Sequence, residues 1–71
     1  MAKRKITNQV RRLRFDHDEM TQQALAEKIG CTRQTVIMLE QERYVPSLAL
    51  ALHIAKIFDT AVDEIFQLDD S

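Results

Sequence analysis

Seventy-one residues, 45% of them apolar and 30% charged, make a single small globular domain rather than a disordered chain. One cysteine excludes an internal disulfide and a cysteine-rich metal site, and the longest unbroken apolar run, residues 48–52, is far too short to span a bilayer. The net charge is only −1 but it is segregated: residues 1–14 hold six basic side chains and no acidic one, residues 57–71 five acidic and no basic one.

That segregation has two readings. A phosphate backbone responds to the local field, so one basic face is enough to attract it; the alternative is a dipolar molecule with solubilising ends. Residues 1–5 read as a basic flexible arm in which Lys3, Arg4 and Lys5 reach toward phosphate or the minor groove, or form no more than a disordered tail. No signal-like apolar segment follows them, so with its lone thiol the protein is expected in a reducing cytoplasm. Residues 6–68 make up the domain and residues 69–71 an acidic tail. One glycine, one proline and few β-branched runs point to an all-α fold of five helices.

The first helix is expected over residues 8–16, with Val10 and Leu13 inward and Thr7 or Asn8 as its cap. After a polar connection, Thr21 caps a second helix that ends at Lys28 or Ile29. Gly30 follows, the one glycine in the chain, where a sharp turn needs positive φ. Ala26 is small enough to let two short helices cross closely. Thr32 caps the third helix, which runs to about Gln41, with Val36 and Leu39 inward. Pro46 disfavours helix at Val45, so residues 42–46 form a loop. Ser47 caps the fourth helix, to about Phe58, and a fifth covers residues 62–67. The apolar arc of the fourth helix, from Leu48 to Phe58, is wider than the stripe of an ordinary surface helix and calls for partners on several sides.

Leu25, Ala26, Gly30, Val36 and Leu39 stand at helix-turn-helix spacing. Together with Thr21-Gln22, Thr32-Arg33-Gln34-Thr35, Glu40, Pro46-Ser47-Leu48 and Ile54-Ala55, they make the chain resemble the Cro/cI-type (XRE) helix-turn-helix family, from Leu13 through Phe66. The resemblance is to its compact members without a ligand-binding domain. It implies a five-helix bundle, a lambda repressor-like domain that binds operator DNA as a homodimer. It also implies a buried or half-buried ion pair between Arg14 and Glu40, the alternative being that Arg14 contacts DNA alone. Three departures stand out. The connection after Arg14 is one residue longer, Glu42 replaces a frequent glycine so that the third helix is expected to end differently, and Asp59 and Ala61 replace the glycine and serine before the fifth helix.

With one side of the third helix packed inward, Arg33, Gln34, Ile37 and Met38 are left to read bases. Arg33 matches guanine O6 and N7, Gln34 matches adenine N6 and N7, and the two apolar side chains suit thymine methyl groups. The alternative for Ile37 is burial beneath Tyr44. Phosphate contacts are expected from Gln22 at the start of the second helix and from Arg43, Tyr44 and the basic arm. Dimer contacts are sought among Ile57, Phe58, Ile65, Phe66 and Leu68. Cys31 is expected to pack inside rather than sense redox state. No metal-ligand spacing, phosphate loop or nucleophilic constellation is present, so neither an enzyme, a cofactor nor a small-molecule ligand is expected. Two functions remain: a DNA-binding regulator, most simply a repressor on double-stranded DNA, or a protein-interaction module of antitoxin or accessory type on the same scaffold.

Overall fold

The computed structural model describes residues 5–69. Along them run β1 (Lys5–Asn8), α1 (Val10–Asp16), α2 (Gln22–Ile29), α3 (Arg33–Glu40), α4 (Leu48–Ile57), α5 (Val62–Ile65) and β2 (Phe66–Asp69). Three of the helices start on a side chain that accepts an otherwise unpaired N–H. Thr21 Oγ1 takes that of Ala24 at 3.0 Å, Thr32 Oγ1 that of Thr35 at 3.2 Å, and Ser47 Oγ that of Leu50 at 3.1 Å. Each such cap stabilises its helix by about 0.5–2 kcal/mol. α1 starts at Val10, later than expected, and its cap position, Gln9, offers no side-chain bond; Asn8 Oδ1 accepts the Val10 N–H instead, at 3.2 Å.

The same three helices also end alike, each through a residue with left-handed backbone and a bond from the residue beyond to a carbonyl of the last turn. After α2 that residue is Gly30, with φ 71°, and Cys31 N–H donates to the Ala26 carbonyl at 2.9 Å. After α3 it is Glu42, with φ 63°, and Arg43 N–H donates to Met38 at 3.0 Å. After α4 it is Asp59, with φ 50°, and Thr60 N–H donates to Ala55 at 3.0 Å. A Cβ built on Gly30 would meet nothing within 4 Å, so backbone conformation alone calls for glycine there. Glu42 adopts that conformation despite its Cβ, at a cost of about 1–2 kcal/mol. The different ending expected for the third helix is therefore not what the structure has: Glu42 substitutes for glycine in the glycine conformation.

The core gathers Val10, Leu25, Ala26, Val36, Leu39, Ile54 and Ile65, all fully buried, with Phe58 and Ile29 beside them. Phe58 and Ile65, sought as dimer contacts, are thus core residues. α4 covers less of its apolar arc than expected. Ala51 and Ile54 face inward, while Leu48 stays 73% and Leu52 52% exposed.

The all-α reading needs one correction. β1 and β2 pair antiparallel, Ile6 opposite Leu68 and Asn8 opposite Phe66, joining the two ends of the described chain in a ribbon. Helix α5 accordingly stops at Ile65 instead of Gln67. Ala61 gives it no side-chain cap, one turn of helix is marginal by itself, and Phe66 is already extended at φ −115° and ψ 130°. Lys5 and Asp69, expected in an arm and a tail, are the paired ends of this ribbon. Residues 1–4 and 70–71, the rest of that arm and tail, lie outside the described residues.

Candidate nucleic-acid interface

Val36 and Leu39, fully buried, fix how α3 is turned about its axis. The helix spacing then leaves Arg33 and Gln34 exposed at its leading end, with Met38 37% exposed one turn on and Ile37 half-buried. Neither Arg33 nor Gln34 has a side-chain hydrogen bond or ion pair among the described residues. Ile37 lines a hollow with Arg11, Arg14, Gln22, Glu40 and Gln41.

Arg14 reaches from α1 into the base of that hollow and grips Glu40 with two parallel bonds. Its Nη2 donates to Oε1 at 2.9 Å, and its Nε donates to Oε2. The remaining guanidinium nitrogen, Nη1, donates to the Met20 carbonyl at 2.7 Å. The two side chains are only 14% and 7% exposed, so solvent screens the pair little. Two-pronged geometry of this kind also fixes orientation, because the guanidinium fork matches the carboxylate in one plane. Glu40 is thereby neutralised and α3 is tied to α1 and, through Gln22, to α2.

The Gln22 side chain is engaged within the protein: its Nε2 donates to Glu40 Oε1 at 3.2 Å, while the backbone N–H groups on which its expected phosphate contact rests open the first turn of α2. A second hollow, between the leading ends of α2 and α3, is lined by Arg14, Thr21, Gln22, Gln23 and Arg33. Past α3, Arg43 and Tyr44 are exposed. Lys5 is held in β1 with Nζ 3.2 Å from Glu42 Oε1, while Lys3 and Arg4 lie outside the described residues. Cys31, expected inside, is half-buried, with Sγ 3.8 Å from the Ile29 carbonyl.

Arg11 and Gln23 belong to these hollows and were not picked out from sequence. Arg11 had a usable signal: it lies one helical turn before Arg14, so both project from the same side of α1. Its neighbour Arg12 is turned away, 3.9 Å from Asp16 in an exposed pair. Arg11, Arg33 and Arg43 carry no ion pair among the described residues. They leave unneutralised positive charge around α3 although the chain as a whole is slightly acidic. Among the described residues no helix is long and apolar enough to cross a membrane.

The chain is similar in sequence to known proteins. A family model described as helix-turn-helix matches residues 11–65. An uncharacterized HTH-type transcriptional regulator of Methanocaldococcus jannaschii is 43% identical over 65 residues, 92% of this chain and 97% of the relative. YgzD of Bacillus subtilis, which carries the same description, is 44% identical over 59 residues, 83% of this chain and 85% of its own. A third such regulator, from Archaeoglobus fulgidus, is 45% identical over 51 residues, 72% and 73% of the two chains. Helices α2 and α3 packed together across the turn at Gly30, the exposed leading end of α3 and likeness over 72–92% of the chain to these proteins lead to one conclusion: the chain belongs to the XRE-type helix-turn-helix family of transcriptional regulators.

Proposed function

We propose that this protein is a sequence-specific DNA-binding regulator that represses by occupying a palindromic operator as a homodimer, with α3 in the major groove. Arg33 donates two bonds to guanine, Gln34 pairs with the N6 and N7 edge of adenine, and Ile37 and Met38 pack against thymine methyl groups. The first turn of α2 at Gln22, with Arg43 and Tyr44 beyond α3, contacts flanking phosphates. Lys5 adds positive charge beside them, and Lys3 and Arg4 extend it as an arm toward phosphate or minor groove.

The observation that carries this reading is the state of Arg33 and Gln34. Both are exposed, and among the described residues unpartnered, at the leading end of a helix locked from behind by Val36 and Leu39. Donors so placed exchange water for base edges without first breaking a bond inside the protein. The homodimer is supported separately, by Val45, Leu48, Leu52 and Leu68, large apolar side chains left exposed. Val45 and Leu48 border an apolar hollow with Ile6, Ala51, Val62 and Phe66, which shares no residue with the hollow beside α3. A second copy that covers this face leaves α3 open, and two copies read half-sites about 34–36 Å apart.

Selection of binding sites from random DNA, followed by titration of the best site at two salt concentrations, tests the proposal. A twofold-symmetric site, bound with steep salt dependence, is the expected result. Absence of any DNA binding at low salt refutes it.

A further inference from the structure

Glu42 holds a left-handed conformation that glycine would adopt without strain, and its side chain shows what it does there. Asp18, Glu19 and Asp59 also have positive φ, yet none of them makes a side-chain bond among the described residues. The Glu42 carboxylate makes two contacts, both with β1: Oε2 accepts the Asn8 N–H at 3.2 Å, and Oε1 lies 3.2 Å from Lys5 Nζ. Asn8 answers in the other direction, its Nδ2 donating at 2.8 Å to the Leu39 carbonyl of the last turn, which also accepts the Glu42 N–H at 3.0 Å. β1 is itself held, by pairing with β2 and by the bond from Gln9 N–H to the Ile65 carbonyl at 2.9 Å.

We infer that the terminal β-ribbon is a clamp on the trailing end of α3, with Glu42 and Asn8 as positioning residues that set how α3 and the adjoining Arg43 and Tyr44 meet DNA. A residue in a disfavoured conformation persists only where its surroundings compensate, and here the ribbon's side-chain contacts add to the backbone bonds of the Glu42 and Arg43 N–H groups to Leu39 and Met38. Clamping also settles the charge. Glu40 and Glu42 both sit at the end of α3 nearest Arg43, where bare carboxylates would repel phosphate; Arg14 covers the first and Lys5 the second. Lys5 thus acts on DNA chiefly through Glu42 rather than as part of a free arm. This inference rests on the DNA-binding reading above, so its test separates the two.

Glu42→Gly suits the left-handed backbone and removes both carboxylate contacts, leaving only the Asn8–Leu39 bond, so the variant folds with the clamp loosened. Glu42→Gln keeps an acceptor for the Asn8 N–H without the charge. Amide exchange at Gln41 and Arg43, and affinity for the best selected DNA site at a temperature well below unfolding, are measured for both variants and the wild type. For Glu42→Gly we expect faster exchange at these two amides and a loss of affinity of about 3- to 30-fold, with Glu42→Gln recovering most of both. Unchanged exchange in Glu42→Gly overturns the clamp. Faster exchange with unchanged affinity overturns its positioning role, since the ribbon would then grip the helix without consequence for binding. If the wild type selects no DNA, the DNA-binding reading fails and the positioning role falls with it, whatever exchange reveals about the grip itself.

Discussion

At the leading end of α3, Arg33 and Gln34 stand in solvent, and the helix is finished there by a single side-chain cap from Thr32. At the trailing end, about two turns away, three polar groups are engaged by other elements. Glu40 is gripped by Arg14 and Gln22, the Leu39 carbonyl by Asn8, and Glu42 by Asn8 and Lys5. The contrast fits the roles proposed for the two ends. Donors that read bases have to be free of bonds within the protein, or binding only trades one bond for another. In the proposed reading α3 must also be fixed in depth and tilt, which the trailing end's long-range bonds to α1, α2 and β1 would supply. The leading end is then free because the trailing end is not.

The comparison is broken most severely at Glu40. Glu40→Ala leaves the Arg14 guanidinium largely buried without its counterion, and removing one partner of a buried pair costs about 3–5 kcal/mol. Unfolding in urea should show a loss of that size, a large share of what a small domain possesses. A loss below about 1 kcal/mol would mean that solvent already screens the pair, as it does exposed ones. Arg33→Ala is the opposite case. It should leave stability within about 0.5 kcal/mol, yet remove about 1–3 kcal/mol of discrimination at one base pair of the selected site. Equal discrimination by wild type and variant would take Arg33 out of the reading set and leave the free end without its principal donor.

These two ends were not equally legible in the sequence. The leading end was: Thr32 as cap, Val36 and Leu39 inward and Arg33 and Gln34 outward all follow from helical period within one short segment. The helix-turn-helix body was legible for the same reason, since Ala26, Gly30 and the capping residues Thr21 and Ser47 act on near neighbours. At the trailing end only the Arg14–Glu40 pair was expected, and that from the family resemblance rather than from local pattern. Nothing local to Gln22 announces its side-chain bond to Glu40, and nothing local to Asn8 or Glu42 says that they meet across 34 residues of chain. β1 and β2 escaped for the same cause. Four-residue strands have too little pattern to declare themselves, and their pairing depends on the bundle bringing two remote segments together. Phe66 and Leu68, with Gln67 between, fit the tail of a short helix as readily as a strand.

Two smaller effects sharpen the contrast. Thr32→Ala removes the leading-end cap together with the bond between its hydroxyl and that of Thr35 at 3.0 Å. It should cost about 0.5–2 kcal/mol in urea unfolding. A loss as large as that of Glu40→Ala would mean that the leading end is held as firmly as the trailing one, against the argument made from its open side chains.

Arg43→Ala is expected to be the mildest in stability and the most informative about the trailing end. Arg43 is exposed and has no ion pair among the described residues, so truncating it should change stability by less than about 0.5 kcal/mol. If it meets the sugar-phosphate backbone, its loss weakens binding evenly across selected and mutated sites. It also lowers the slope of log affinity against log salt concentration by about 1, because one fewer counterion is released. Titrations of wild type and variant against three related sites at several salt concentrations read both quantities. A change in base preference with an unchanged salt slope would make Arg43 a reader. The trailing end of α3 would then do more than hold, and the division of labour between its two ends would have to be redrawn.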